Sequence, residues 1–268
     1  MRVERSVGEV LSKVRLKSIV QTLRLVRDVE QPLRELGLFL GVGRAPDHRR
    51  IRLRNGYQIH IDSVDEFRQS FWDCWVREPY RVLASDELIV DAGANIGCFS
   101  IYAVSKAPRG HVFALEPSSR NFQRLVENIG LNRLDGRITA LPVGVAGRTG
   151  TQELDVSHAS PYHSVYTEVG PYRETIRVLS LAGLLGEIGG PDRVDLLKMD
   201  CEGGEMECLL EASSGDLARF RRIAVEYHEW AGFSFPTLVE RLRASGFTLR
   251  SHVRCEKDRT GVVEFVGR

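Results

Sequence analysis

The sequence predicts an α/β fold: a doubly wound, mostly parallel sheet behind an N-terminal cap. Three observations predict it. Short apolar runs alternate with amphipathic stretches from residue 86 onward. One such run, in "LIVDAGANIGCFSIYA" (residues 88–103), passes through an acid and a glycine turn into a helical pattern. The chain closes on "FTLRSHV" and "GVVEFVG", two strands about a polar turn that predict an antiparallel pair at one sheet edge.

The elements follow in order. Over residues 7–38, Val7, Val10, Leu11, Val14, Ile19, Leu23 and Val26 recur near helical spacing with basic residues between them, until "GVGRAPD" breaks the pattern. "IRLRNGYQIHI" reads as two strands around Asn55-Gly56, a dipeptide suited to the positive φ of a hairpin turn. "VDEFRQSFWDCWVREPY" reads as an aromatic-rich helix. Residues 1–85 are thus expected to form a cap and 86–268 the sheet domain. Its strands are expected at "ELIVD", "GHVFALE", "RITALPVGV", "VDLLKMD" and "RRIAVEYH". Helices are expected at "NIGCFSIYAVSKA", "SSRNFQRLVENIGLN", "GEMECLLEASS" and "FPTLVERLRASG".

Composition narrows the function. With 268 residues, 43% hydrophobic and 27% charged, the chain belongs among soluble globular proteins. No apolar run approaches the roughly 20 residues that cross a bilayer, and "MRVERSVGEV" lacks the apolar core of a secretory signal. Five scattered cysteines without a CxxC pair favour reduced thiols over a disulfide frame or a zinc site. A cytoplasmic location is the expectation. Residues 1–54 hold 13 Lys/Arg against 6 Asp/Glu, the remainder 24 against 30. A basic N-terminal helix suits an anionic partner, a membrane surface or a solvated face, and its apolar stripe suits a homodimer contact. No basic patch interleaved with aromatics points to nucleic acid.

Several segments could carry chemistry. A dinucleotide turn has a glycine where Asn95 stands, and a P-loop has a Gly-Lys-Ser/Thr end that is absent. S-adenosylmethionine carries no phosphate; it asks for close backbone approach, which Gly93 and Gly97 allow around Ala94, and for negative charge near its ammonium, which Asp91 supplies. Glu116, ending "VFALE", can accept two ribose hydroxyls, and Pro117 turns the chain sharply out of the strand. "LPVGVAG" brings backbone, at Val143, past an adenine edge. "DLLKMDCEGGE" delivers Asp200 and Glu202 to the ligand-binding edge of the sheet, to orient a hydroxyl, act as base, cap a helix or, less favoured, hold Mg²⁺. In "VEYHEW", Glu226 and His228 share one strand face, and His228 can take a proton near neutral pH. His158 and His163 lie in a polar loop. Trp72, Tyr162, Tyr166, Trp230 and Phe233 would suit either an acceptor-stacking surface or the core.

Taken in order, "VDAGANIGCFS", "LEPSSRNFQRLVENIGLN", "DLLKMDCEGGE" and "VEYH" resemble the FkbM-type methyltransferases, and the hairpin and "REPY" resemble that family's lead-in. The likeness runs from about Arg50 to the C-terminus. It implies S-adenosylmethionine-dependent O-methylation of a sugar, glycan or natural-product hydroxyl, with S-adenosylhomocysteine as product. It also implies a seven-stranded, Rossmann-like class I methyltransferase sheet with a reversed last strand. By the same likeness Asp91, Gly93, Asn95 and Gly97 match the cofactor turn, Glu116 the ribose acid, and Asp200, Glu202 and His228 the substrate edge; no metal ligand is assigned. Gly147 departs from the pattern, standing where similar sequences often carry Asp or Asn. The competing readings are an NAD-dependent oxidoreductase and a non-catalytic ligand-binding member.

Overall fold

A computed structural model describes residues 16–41, 49–156, 163–164, 172–201, 203–229, 234–255 and 260–268. The chain divides into two compact units between Glu78 and Pro79. Among the described residues no helix is long and apolar enough to cross a membrane.

The first unit begins with α1 (Leu16–Asp28) and α2 (Pro32–Leu40). The single helix expected over 7–38 is therefore interrupted. Pro32, whose ring suits a first helical turn, opens α2, while Val29 leaves α1 to bridge Leu53. The hairpin forms as β1 (Arg49–Arg52) and β2 (Gln58–Ile61), antiparallel, with Gly56 at φ +91° in its turn. Helix α3 (Val64–Glu66) is capped reciprocally: Ser63 Oγ accepts the Glu66 N–H at 3.0 Å and Glu66 Oε2 accepts the Asp62 N–H at 2.7 Å. It continues as a π-type coil over Phe67–Arg77 and buries Phe67, Phe71, Trp72 and Trp75. Trp72 stacks on Phe39 at 3.8 Å and is 2% exposed, so this ring is core of the first unit and offers no surface to an acceptor.

The second unit contains β3 (Leu88–Ala92), α4 (Cys98–Lys106), β4 (His111–Leu115), α5 (Ser119–Leu131), β5 (Ile138–Leu141) and β6 (Gly144–Val145). There follow β7 (Gly150–Val156), β8 (His163–Ser164), β9 (Tyr172–Leu179), α6 (Leu181–Glu187), β10 (Leu196–Met199), α7 (Gly204–Glu211) and α8 (Ser214–Leu217). Last come β11 (Arg222–His228), α9 (Phe235–Ala244), β12 (Phe247–Cys255) and β13 (Thr260–Gly267). The main sheet has seven strands in the order β12-β13-β11-β10-β3-β4-β5. Ladders from β11 to β5 are parallel, and β13 runs antiparallel to both neighbours. The reversed strand is thus where the resemblance implied it. The inner strands read as continuous apolar runs because both faces are covered: Val90, Leu197, Met199, Ile223 and Val225 belong to one core that also takes in Leu184, Leu209 and Leu238.

Two features differ from expectation. "RITALPVGV" is two strands, not one, because Pro142 has no N–H to donate to the ladder. Beyond it, β6 joins a second sheet, ordered β6-β9-β7-β8, with its own small core of Ala146, Leu154, Ile176 and Val178. The boundary between units also falls seven residues before the expected 85/86. Segment 79–86 is pinned to the sheet by buried Arg222, whose Nη1 donates to the Arg81 carbonyl at 2.6 Å and whose Nη2 pairs with Asp86 at 2.5 Å. Asp86→Ala leaves that guanidinium short of its nearest counter-charge. It should cost about 3–5 kcal/mol in urea unfolding, whereas Arg250→Ala, which removes the exposed partner of Glu264 and leaves that carboxylate its contact with Arg222, should cost less than about 1 kcal/mol.

Candidate active site

β3 carries Asp91 to the C-terminal edge of the main sheet, and the chain then turns through three left-handed residues: Gly93 (φ +77°), Asn95 (φ +50°) and Gly97 (φ +90°). A Cβ on Gly93 would lie 1.8 Å from the Asp200 carbonyl oxygen, so backbone passes over backbone with no room for a side chain. Asn95 replaces a glycine here because asparagine tolerates the left-handed region better than other side chains. Its Oδ1 accepts the Ile96 N–H at 2.7 Å, and its own N–H donates to Glu116 Oε2 at 2.8 Å. The turn is therefore tied to the end of the next strand. Ala94 is buried, and its N–H donates to the Leu115 carbonyl at 2.8 Å.

Asp91 is fully buried. Its Oδ2 accepts from Ser100 Oγ at 2.7 Å, and its Oδ1 lies 3.0 Å from Lys198 Nζ as an ion pair rather than an aligned hydrogen bond. Lys198 stands directly opposite Asp91 in the β10–β3 ladder, which is why the two meet. The same ammonium donates to the Gly93 carbonyl at 2.8 Å, lies 3.9 Å from Asp200 Oδ2, and sits over the rings of Tyr80 and Phe99 at 5.6 and 5.7 Å. The charge expected of Asp91 toward a ligand ammonium is thus matched inside the protein. Sequence reasoning did not single out Lys198. The signal was a lysine inside the otherwise apolar "LLKM".

Glu116 is 6% exposed. Its two oxygens accept the Asn95 and Ser118 N–H groups at 2.8 and 3.0 Å. Burial pushes its pKa up to about 7, against the lowering effect of those two N–H groups and of Lys198. Pro117 follows at the strand exit, half-buried, where a Cβ added to Gly144 would meet its ring at 3.5 Å. The Val143 side chain is buried in the main core, so what it offers toward a ligand is backbone.

Further along the same edge, Asp200 and Glu226 converge on one hydroxyl: Tyr80 Oη lies 3.3 Å from Asp200 Oδ2 and 3.2 Å from Glu226 Oε2. One phenol proton serves two acceptors there, and both contacts are long for an O–H···O bond. His228 is buried, and its Nδ1 lies 2.7 Å from Oε1 of fully buried Glu205. Burial pushes the Cys201 thiol well above its ordinary range and Cys208 up to about 12, so both stay neutral packing groups. A Cβ on Gly147 would meet Glu211 Cδ at 2.7 Å and Glu207 Cγ at 2.9 Å, so a larger residue there needs those two side chains to shift. Glu202, His158, Tyr162, Tyr166, Trp230 and Phe233 lie outside the described residues. Among the described residues no three of His, Cys, Asp or Glu gather closely enough to hold a metal ion.

A family model described as the methyltransferase FkbM domain matches residues 91–249, from the turn acid to the strand after α9. The chain belongs to the FkbM methyltransferase family. Its cofactor is S-adenosylmethionine. The AMB antimetabolite synthetase AmbE of Pseudomonas aeruginosa is 27% identical over 67% of this chain, which spans only 10% of AmbE. The 31-O-demethyl-FK506 methyltransferase FkbM of Streptomyces tacrolimicus is 26% identical, with 74% of this chain and 88% of that one covered. The hexuronic acid methyltransferase AglP of Haloferax volcanii is 32% identical over 53% of this chain and 56% of its own length.

The residues fit that cofactor. The glycines of the turn are set by this protein's own close packing, Gly93 against the Asp200 carbonyl and Gly97 against Leu125, so the observations that speak for the cofactor lie at the end of β4. Each Glu116 oxygen keeps a lone pair for a ribose hydroxyl after accepting one N–H. Ser118 Oγ, two residues further on, is buried with no hydrogen-bond partner among the described residues, which leaves a polar atom for a ligand to satisfy.

Two outcomes follow. Gly93→Ala, strained in φ and blocked by the Asp200 carbonyl, should abolish S-adenosylhomocysteine binding by calorimetry and lower the melting temperature. Hydroxyl donors favour the ionised Glu116, so binding must first expel its proton at low pH. Affinity for S-adenosylhomocysteine should therefore climb about tenfold per pH unit up to about 7 and level off above it. In the free protein the raised pKa works the other way: its stabilising contribution is full below 4.5 and is lost as pH rises through about 7. Glu116→Gln should flatten both profiles and weaken binding.

Proposed function

We propose that the protein is an O-methyltransferase acting on a hydroxyl of a sugar, a glycan or a natural product. The supporting observation is that proton-accepting groups, Asp200 and the His228–Glu205 pair, stand at the ends of adjacent strands β10 and β11, next to β3 and its cofactor turn. A sulfonium methyl arrives already activated and needs a nucleophile aligned with it. A neutral alcohol is a weak one. In this reading His228 takes the hydroxyl proton, and Asp200, with Glu202, orients the hydroxyl; a base in reach contributes roughly 10²–10⁴ in rate. Holding the acceptor in line and excluding water contributes on the order of 7–11 kcal/mol in favourable cases. The names of two relatives, an O-demethyl-FK506 and a hexuronic acid methyltransferase, support oxygen-rich acceptors.

We further infer a cytoplasmic enzyme that pairs through α1, on which Ile19, Leu23 and Val26 are exposed at helical spacing. The test is methyl transfer from radiolabelled S-adenosylmethionine to a panel of sugar and macrolide hydroxyls. His228→Asn and Asp200→Asn should each lower kcat at least about 100-fold while S-adenosylhomocysteine affinity stays within about twofold. Wild-type turnover in both variants, or a methyl found on nitrogen or carbon, would sink the assignment.

A further inference from the structure

We propose that Glu205 is a positioning residue that fixes His228 in the tautomer able to take a proton from the acceptor. This rests on the hydroxyl-methylating function proposed above. Glu205 lies in the first turn of α7 and His228 ends β11; the two are 0% and 4% exposed, and Oε1 lies 2.7 Å from Nδ1. The other oxygen, Oε2, accepts the Gly203 N–H at 2.9 Å. Gly203 itself sits at φ +123°, a conformation open to glycine, and aims that N–H back at the carboxylate. Gly204 seats the helix start against the sheet, since a Cβ there would lie 2.6 Å from the Val145 carbonyl oxygen. The carboxylate is therefore held from both sides.

An ionised carboxylate only accepts hydrogen bonds. With Oε1 facing the ring, the single proton of neutral imidazole sits on Nδ1 and the lone pair on Nε2. Glu205 thereby decides which nitrogen acts as base. It also sets a negative charge beside the imidazolium that forms when the proton is taken, which burial alone would penalise. Among the described residues, the other charged groups near the end of β11 include Glu226, two residues back on the same face, and the Glu229–Arg254 pair at 2.9 Å; Thr260 stands opposite on β13.

The isosteric Glu205→Gln separates this role from simple packing. The Gly203 N–H needs an acceptor, so the amide oxygen turns toward it and the amide N–H₂ turns toward Nδ1. That arrangement strips Nδ1 of its proton and moves it to Nε2. Nitrogen-15 NMR of the histidine ring, in the free protein, should show the proton on Nδ1 in wild type and on Nε2 in the variant. In the variant kcat should fall at least about 100-fold, with S-adenosylhomocysteine affinity and the KM for S-adenosylmethionine within about twofold. A wild-type proton on Nε2, wild-type kcat in the variant, or affinity falling in step with kcat overturns the proposal. If the variant does not fold, the wild-type tautomer decides alone. Because the tautomer is read without an acceptor, a methyl found on nitrogen or carbon overturns the hydroxyl reading separately.

Discussion

The ammonium of Lys198 lies where the ends of β3 and β10 meet, 3.0 Å from Asp91, 2.8 Å from the Gly93 carbonyl and 3.9 Å from Asp200. A buried charge of this kind is stable only if its neighbours compensate its lost hydration. Asp91 does so electrostatically, the carbonyl by hydrogen bonding, and the rings of Tyr80 and Phe99 by presenting their faces. The arrangement orders the cofactor turn from beneath. Gly93 can pass over the Asp200 backbone because its carbonyl is held down by the same cation that restrains the Asp200 carboxylate. One side chain thus ties the glycine turn after β3 to the carboxylate that follows β10.

From that point the rest of the site follows by adjacency. The Glu116 carboxylate receives the N–H of Asn95 from the turn, so the C-terminal ends of β3 and β4 are tied to each other. On the other side, β10 and β11 present Asp200 and Glu226 to a shared phenol, Tyr80. Tyr80 comes from the segment leading into the sheet, and that segment is anchored by Arg222 at the opposite end of β11. The anchoring of residues 79–86 is therefore also the positioning of Tyr80.

Much of this was legible in the chain itself. The inner strands announce themselves as apolar runs because helices cover both sheet faces, and "DAGANIG" and the terminal acid of "VFALE" read as a turn and a carboxylate, which the fold brings together through the Asn95 N–H on Glu116. Asn95 at a glycine position read as a departure from the dinucleotide turn; the structure shows its physical meaning, a left-handed residue that hydrogen-bonds to its neighbour. What the chain hid are partners far apart in sequence. Lys198 reads as a misplaced charge until register sets it opposite Asp91, 107 positions away. Glu205 reads as a first-turn acid of a helix until the fold brings His228 against it. The split of the N-terminal helical pattern was marked by Pro32, and β7 and β9 by the alternation in "TQELDV" and "YRETIRVL", both outweighed by broader patterns nearby.

The departure of the chain from the main sheet at Pro142 has a consequence for where the fold tolerates substitution. Beyond β5 the backbone enters a sheet with a separate apolar centre, Ala146, Leu154, Ile176 and Val178, and returns through α6 to the shared core. This cluster shares no member with the core beneath the main sheet, so a substitution at Leu154 on β7 bears first on the second sheet. A change there alters the packing of the small sheet before it reaches the strands that lead to Asp91, Glu116 and Lys198, which makes β7 a tolerant side of the fold.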